Sequence, residues 1–244
     1  MVAGPRVGQQ GRDQGLDAGR GAAAAVERLA DEDWTTLSQA GLEPVNAGRF
    51  YVSTRAHAKR RKPGQTGLVI EAGLAFGTGQ HATTSGCLVA LDRLARSRRF
   101  DTILDLGTGT GVLALAAHRT WRYARVVATD IDPIAITVAR ANARVNAVPL
   151  GLARGCLEFF AADGMHDGRL SARAPYDLIC ANILAAPLIA LAGDIGTALA
   201  PRGVVILAGL LDTQVREVTA AYAARGLRKL MTSGGEWPTL VMRR

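Results

Sequence analysis

From Pro63 onward, short apolar runs alternate with longer helical patterns along the chain. The apolar runs are rich in valine, isoleucine and leucine, and they predict strands at residues 102–106, 126–130, 157–161, 178–182 and 204–207. Strands that alternate with helical segments are typical of βαβ units. The pattern therefore predicts an α/β fold built on a parallel sheet, without internal repeats.

Two helices and a closing hairpin complete this pattern. Asp132 can cap a helix that begins at Pro133, and apolar residues recur on one face of that helix: Ile134, Val138, Ala141 and Val145. A second helix is predicted over residues 186–199. Residues 226–232 and 237–243 flank a Ser-Gly-Gly-Glu turn, which predicts an antiparallel hairpin at the end of the chain.

The first 62 residues differ in character from the rest. Residues 1–30 contain few large apolar side chains, so burial cannot offset the entropy lost on ordering, and we expect a flexible tail. Residues 31–62 contain a strand-like run at 50–52 and a basic cluster at 59–62, which more often marks a solvated loop than a binding patch. We interpret residues 31–62 as a linker or the remnant of a further domain, and residues 63–244 as the main domain.

Composition and charge narrow the class of protein. With 244 residues, 48% hydrophobic and 20% charged, the chain is globular, which excludes disorder throughout and a disulfide scaffold. The formal net charge of +8 suits a nucleic-acid partner, but only three of the 29 basic residues are lysine. An arginine excess beside abundant alanine and glycine is typical of a GC-rich genome. We favour this cause over a nucleic-acid surface and expect no stable nucleic-acid binding.

Cysteine usage and hydropathy argue against metal, disulfide and membrane roles. Cys87, Cys156 and Cys180 lie far apart, without a CxxC pair or a histidine at ligand spacing, so we expect neither a metal site nor a disulfide. The most apolar stretch, residues 178–193, is shorter than the ~20 apolar residues of a membrane span. The start of the chain does not resemble an export signal, so we expect a cytoplasmic protein.

The sharpest motif is the Asp-Leu-Gly-Thr-Gly-Thr-Gly sequence at residues 105–111, between a predicted strand and the helical run at 112–117. Glycines there allow positive φ and let a ligand approach the backbone and the helix N-terminus. A nicotinamide site prefers GxGxxG. An acid followed by GxGxG is instead the usual form for S-adenosylmethionine, so we assign Gly107 and Gly109 to its aminoacyl part.

Two acidic residues follow the next strands at positions suited to an adenosine. Asp130 comes 23 residues after Gly107, at the carboxyl end of the second predicted strand, where an acid can bind both ribose hydroxyls. We assign the ribose to Asp130 rather than Asp132, because Pro133 makes Asp132 a helix cap. Asp163, after the third strand, either faces the adenine amine or caps its own loop.

The end of the fourth predicted strand is the expected acceptor site. Ligands of such sheets bind beyond the carboxyl ends of the strands, where the winding of the sheet reverses. Asn182 ends an otherwise apolar strand there, as either a turn residue or a polar handle in a dry cleft. Its position at the end of the strand favours the second alternative, a polar side chain that contacts a ligand.

Five segments of the chain together resemble one protein family. The Phe-Gly-Thr-Gly-Gln-His-Ala-Thr-Thr run at 76–84, residues 105–111, 129–133 and 182–185, and the closing Glu-Trp pair at 236–237 resemble the PrmA family, which methylates ribosomal protein L11. The match covers about residues 31–244 in the same order. Gln80 and Ala82 stand where the family pattern has Thr and Pro. We expect residues 1–62 to hold no full counterpart of the family's N-terminal recognition domain.

The resemblance implies a Rossmann-like class I methyltransferase with a mostly parallel seven-stranded sheet and a C-terminal antiparallel hairpin. It places Thr84, Gly107, Asp130 and Asn182 at the family's S-adenosylmethionine-binding positions. It also implies methylation of lysine ε-amines and of the N-terminal α-amine of the ribosomal protein. We expect the enzyme to be a monomer.

Methyl transfer to an amine chiefly requires alignment and the exclusion of water, so we expect no dedicated base. We assign Asn182 to orienting the amine. His81 either accepts a proton or holds its loop, and Phe76 either walls the cleft or packs in the core. The alternatives are a methyltransferase for another protein or small amine, a nicotinamide oxidoreductase, which the glycine spacing disfavours, and a cofactor-binding module without turnover.

Overall fold

The computed structural model describes residues 43–71 and 78–244, apart from the side chains of residues 78–81. Within these residues the strands, in chain order, are β1 (Val45–Ala47), β2 (Phe50–Ser53), β3 (Thr66–Val69), β4 (Thr102–Leu106), β5 (Arg125–Asp130), β6 (Leu157–Ala161), β7 (Tyr176–Asn182), β8 (Leu199–Ala208), β9 (Arg228–Thr232) and β10 (Leu240–Arg243). The α-helices are α1 (Thr78–Ala95), α2 (Val112–Thr120), α3 (Pro133–Val145), α4 (Gly168–Ser171), α5 (Ala185–Ala190), α6 (Ala192–Ala198) and α7 (Val215–Ala223).

Strands β4 to β10 form one seven-stranded sheet in the order β6-β5-β4-β7-β8-β10-β9. The first five strands of this order pair in parallel, and β10 pairs antiparallel with both β8 and β9. Apolar clusters cover both faces of the sheet, which is why its central strands read as nearly continuous hydrophobic runs. The five predicted strands, the closing hairpin and the seven-stranded fold class are confirmed.

The segment before β8 differs from the single helix predicted over residues 186–199. It forms α5 and α6, which meet at Leu191, where the backbone N–H still donates to the Pro187 carbonyl. Strand β8 then begins at Leu199, because Leu199 pairs with Tyr176 before the register of the two strands shifts. Pro201 falls within that irregular stretch of the strand, so it interrupts the ladder instead of following a helix.

The cap of α3 is confirmed, but the prediction of its buried face is wrong. The Asp132 side chain accepts a hydrogen bond from the Ile134 backbone N–H at 2.8 Å. Ile134 itself is 72% exposed, and the buried residues are Ile136, Ala139, Asn142 and Ala143. The apolar pattern misled because a polar residue lies at the middle of the buried face: the Asn142 side chain donates to the Thr110 carbonyl and accepts from the Glu71 N–H.

A second, three-stranded sheet packs over α1 and α2. Strand β2 pairs antiparallel with β1 and parallel with β3, so the strand-like run at residues 50–52 is confirmed. Phe50 and Leu68 are fully buried in the same apolar cluster as Leu88 and Leu115 of the two helices. Residues on both sides of position 62 therefore share one core, while the expected tail at 1–30 and the first part of the expected linker lie outside the described residues.

The described parts of the chain contain neither a membrane-spanning helix nor a cluster of metal-ligating side chains. No helix there has both the length and the apolar character needed to span a membrane. The same residues contain no group of three or more His, Cys, Asp or Glu side chains placed to hold a metal ion.

Candidate functional site

Three strand ends meet at the carboxyl edge of the seven-stranded sheet. Strand β4 pairs with β5 on one side and with β7 on the other, so the winding of the sheet reverses at β4. The glycine loop (residues 107–111) follows β4, Asp130 ends β5 and Asn182 ends β7. The site residues assigned from separate segments thus lie along one edge, at the place where such sheets bind their ligands.

Gly107 and Gly109 both have positive φ, but the space around them differs. Gly107 has φ +71°, and a Cβ there would lie 2.3 Å from the Ile183 Cγ2 methyl, so the loop after β7 packs directly against it. Gly109 has φ +53°, and an added Cβ would meet no atom within 4 Å. Open space therefore adjoins the backbone of the glycine loop at Gly109, as a ligand cradle needs.

Asp105, the acid that precedes the loop, is a buried anchor. Its Oδ2 accepts hydrogen bonds from the Thr108 hydroxyl at 2.6 Å and from the Ala114 backbone N–H at 3.0 Å. These bonds tie the glycine loop to the first turn of α2. Burial raises the pKa of Asp105 to about 6, and these hydrogen bonds to the carboxylate oppose that rise.

The Asp130 carboxylate is held by backbone groups on both of its oxygens. Oδ2 accepts from the Gly109 N–H at 2.8 Å, and Oδ1 accepts from the Asp132 N–H at 3.1 Å. Each carboxylate oxygen can accept a second hydrogen bond. Because Asp130 is partly exposed, two acceptor directions remain for the hydroxyls of a ligand.

The Asn182 side chain links β7 to α1. Its Nδ2 donates to the Thr84 hydroxyl oxygen at 3.2 Å, which leaves Oδ1 as an acceptor. The next residue, Ile183, is enclosed by two glycines, because a Cβ at Gly209 would lie 2.4 Å from the Ile183 carbonyl oxygen and one at Gly107 would meet its side chain. Backbone packing thus fixes the direction in which Asn182 leaves the strand.

The remaining candidates are less closely tied to this edge. Asp163 is exposed in the loop after β6, and its backbone carbonyl accepts from the His166 N–H. Phe76 lies outside the described residues, and His81 lies in α1 with its side chain outside them. The roles of these three residues stay predictions.

Sequence reasoning missed the apolar residues beside the polar ones. Ile131 is 68% exposed directly after Asp130, and Leu184 is 71% exposed two residues after Asn182. Exposed large aliphatic side chains beside polar ones provide apolar surface for a ligand. In the sequence, their position next to assigned polar residues could have indicated them. Gly209, which packs against the Ile183 backbone, has no assigned residue beside it in the sequence.

The arrangement fits S-adenosylmethionine. The acceptor directions of Asp130 suit the two ribose hydroxyls, and Ile131 beside it offers an apolar surface to the adenine. The open space at Gly109 lies next to the N-terminus of α2, where the aminoacyl carboxylate would be favoured. The Asn182 amide and the Thr84 hydroxyl close the other side of the same edge.

Comparison with known proteins agrees with this geometry. The family described as "Ribosomal protein L11 methyltransferase (PrmA)" matches residues 9–244. The chain is 48% identical over 221 residues to the ribosomal protein L11 methyltransferase of Caulobacter sp., covering 89% of this chain and 73% of the relative. It is 43% identical over 234 residues to that of Mesorhizobium japonicum, covering 95% and 79%.

A solved structure extends the agreement to the fold. The ribosomal protein L11 methylase from Lactobacillus delbrueckii aligns with a TM-score of 0.69 and 28% identity, over 83% of this chain and 99% of that one. A methyltransferase from Pyrococcus furiosus, with 16% identity and a TM-score of 0.54 over 72% and 88%, shares the fold alone. Together with the family match over nearly the whole sequence, these findings establish that the chain belongs to the PrmA family of ribosomal protein L11 methyltransferases.

Proposed function

We propose that this protein uses S-adenosylmethionine to methylate lysine ε-amines and the N-terminal α-amine of ribosomal protein L11. The observation that carries the proposal is the shared edge of Asp130, the glycine loop and the Thr84–Asn182 pair, in a chain of the PrmA family. Relatives at 43–48% identity are named ribosomal protein L11 methyltransferase.

The cofactor supplies an electrophilic methyl group on a positively charged sulfur. We assign its ribose to Asp130, its aminoacyl part to Gly107 and Gly109, and its adenine amine to Asp163. Thr84 and Asn182 contact it from the α1 side. This assignment follows the order of the residues along the edge, from the end of β6 to the end of β7.

Asn182 orients the acceptor amine. Because its Nδ2 donates to Thr84, its Oδ1 accepts an N–H of the incoming amine and turns the nitrogen lone pair toward the methyl group. When bound, the cofactor would give its methyl group to this nitrogen and leave as the neutral thioether. The lysine must lose a proton first, since its ordinary pKa is near 10.4, and an apolar cleft beside a sulfonium favours the neutral amine.

No side chain needs to act as a strong base, because the proton leaves to water before attack. The roles predicted from the sequence for His81, as an assisting proton acceptor, and for Phe76, as a wall of the cleft, belong to this proposal. In this proposal residues 63–244 carry the catalytic machinery, with β1 and β2 packed on the same core. The enzyme acts as a cytoplasmic monomer without stable nucleic-acid binding. The exposed Leu184 adds apolar surface next to Asn182.

The test is an intact-mass measurement on the substrate. Purified ribosomal protein L11 incubated with the protein and S-adenosylmethionine should gain mass in steps of one methylene, and fragmentation should place the steps on lysines and the N-terminus. Asn182→Ala serves as the control for site-dependent transfer. An unchanged substrate mass, from a sample that binds the cofactor by calorimetry, would refute the proposal.

A further inference from the structure

A pocket with a volume of about 540 Å³ lies between the three-stranded sheet and the C-terminal ends of α2 and α3. Its wall includes Arg61, Arg119 and Arg122, and we call it the arginine pocket. Helix α2 begins at the glycine loop and has nine residues, so its far end lies about 13 Å from the cofactor edge. None of the roles assigned above involves this pocket.

The wall of the arginine pocket is positively charged. None of the described residues that line it is Asp or Glu. The exposed Arg122 side chain has no hydrogen bond or ion pair with the described residues. Arg61 donates from Nη1 to the Gln65 carbonyl, and Arg119 donates from Nη2 to the Asn146 carbonyl. Because each guanidinium has five N–H donors, the protein uses only a small part of the donors at this pocket.

The helix ends account for only part of this charge. Carbonyl groups at the C-terminus of a helix favour cations, and the bond from Arg119 to Asn146, the C-cap of α3, is of this kind. The Nε of Arg119 is nevertheless buried without a hydrogen-bond partner among the described residues. Burial, and then the positive charge of Arg122, lower the pKa of Arg119 below its ordinary value. Two guanidinium groups thus repel each other at the end of α2, and no acid among the described lining residues offsets this repulsion.

Strand β3 adds a backbone donor to the same wall. The Thr66 and Ile70 N–H groups donate to carbonyls on the β2 side. Alternate residues of a parallel strand face opposite neighbours, so the N–H groups of the odd-numbered residues point away from β2. The Val69 N–H accordingly donates to the Asn146 side chain. Gly67, which lines the pocket, has no hydrogen-bond partner for its N–H among the described residues.

A phosphate group matches this set of donors. Guanidinium groups bind phosphate through paired N–H···O bonds, for which arginine is better suited than lysine. A phosphate group carries about −1.5 to −2 charges near pH 7, so it offsets the repulsion between two arginines more fully than one carboxylate does. Small-molecule sites have volumes of about 300–1,000 Å³, and the arginine pocket falls within this range.

We propose that the arginine pocket binds a small phosphate-bearing molecule through its three arginines and the Gly67 N–H. RNA offers the same phosphate groups, but proteins bind its backbone along extended grooves of positive charge. A single concave pocket with three guanidinium groups favours a small molecule. The proposal is independent of methyl transfer, because the pocket lies at the end of α2 that is remote from the cofactor edge.

Three arginine variants provide the test. Arg122→Gln is the principal variant, because this side chain is exposed and has no partner whose loss would destabilise the fold. Arg125→Gln removes the same charge three residues later, at an exposed position outside the arginine pocket, and is the matched control. Arg61→Gln repeats the test on the sheet side of the pocket.

Pyrophosphate is the probe, and isothermal titration calorimetry at constant ionic strength measures its Kd. S-adenosylhomocysteine is present, so that the anion does not occupy the helix N-terminus at the glycine loop. We expect wild type to bind one pyrophosphate per chain. Arg122→Gln and Arg61→Gln should each raise the Kd about tenfold or more, and Arg125→Gln should stay within about twofold of wild type. Malonate, a dicarboxylate, should bind at least about tenfold more weakly than pyrophosphate.

The proposal is overturned if wild type does not bind pyrophosphate. It is also overturned if Arg125→Gln weakens binding as much as Arg122→Gln does, because the anion would then respond to general surface charge. Malonate that binds as tightly as pyrophosphate would exclude a phosphate site. A single-stranded RNA that displaces pyrophosphate, and binds more tightly in an Arg122-dependent manner, would replace the small molecule with RNA. Methyl transfer should be unchanged in Arg122→Gln, so failure of the proposed function leaves this test intact.

Discussion

Asp130 and Asp132 are neighbouring acids to which we assign different roles, a ligand contact for Asp130 and a helix cap for Asp132. The Asp130 carboxylate holds the Gly109 and Asp132 N–H groups and keeps one acceptor direction on each oxygen for a ribose hydroxyl. Asp132, two residues later, is also acidic, but its side chain caps α3 through Ile134. The pair of variants Asp130→Ala and Asp132→Ala therefore removes the same charge from nearly the same place with different expected results.

The expected loss of cofactor affinity follows from the number of hydrogen bonds that Asp130→Ala removes. Hydrogen bonds to a charged acceptor contribute about 1.5–3 kcal/mol each, and the partly exposed position of Asp130 favours the low end. Two lost ribose bonds correspond to about 3 kcal/mol, or roughly 100-fold in Kd for S-adenosylmethionine. Loss of the Asp132 cap should lower the free energy of unfolding by about 1 kcal/mol and leave the Kd within about threefold.

Isothermal titration calorimetry measures the Kd, and urea unfolding measures the stability of each variant. The reasoning is refuted if Asp132→Ala weakens cofactor binding as much as Asp130→Ala does, or if Asp130→Ala binds as tightly as wild type. If Asp130→Ala and Asp132→Ala lose stability equally and do not differ in Kd, Asp130 only shapes the loop.

Three further predictions address the other strand ends. Gly107→Ala adds a side chain at positive φ and against the Ile183 methyl, so it should lower the free energy of urea unfolding by at least about 2 kcal/mol. Adding Ile183→Ala to the same chain should restore the part due to the clash, and additive losses for the two changes would contradict this contact. Because burial raises the pKa of Asp105 to about 6, the folded protein holds this proton more tightly than the unfolded chain does. Wild type should therefore lose about 2 kcal/mol of stability relative to Asp105→Asn as pH rises from about 4 to 6, and a parallel pH dependence of unfolding would disprove the assignment. Asn182→Ala should lower kcat about 100-fold while the Kd for the cofactor rises less than tenfold, and Thr84→Ser, which keeps the hydroxyl, should stay near wild type. If kcat and cofactor affinity fall by equal factors in Asn182→Ala, Asn182 is a cofactor residue only.

The sequence was sufficient for elements whose signal is local. The glycine loop, its preceding acid and the Asp132–Pro133 helix start each depend on neighbouring residues, and the structure has them where their motifs predict. Parallel pairing then brings the ends of β4, β5 and β7 together, so that placing the strands was enough to place the candidate site.

Contacts between distant segments had no local signal. Gly209 is 26 residues from Ile183, and nothing near either residue indicates that the Ile183 backbone lies against it. Asn142 is not among the apolar residues of the predicted helix face, although its amide has partners on two other segments and the residue is 1% exposed. Local periodicity records the polarity of a side chain, whereas burial depends on the partners that tertiary structure provides.

Asn142 of α3 and Asn146, the C-cap of that helix, bind the edge of the small sheet as a neighbouring strand would. The Asn146 side chain accepts from the Val69 N–H and donates to the Val69 carbonyl, and Asn142 accepts from the Glu71 N–H. Two residues of a strand span about 6.6 Å and four residues of a helix about 6 Å, so amides one helical turn apart match alternate backbone groups. A helix thereby continues the hydrogen-bond ladder of β3, and the amides occupy backbone groups with which another chain would otherwise pair and aggregate.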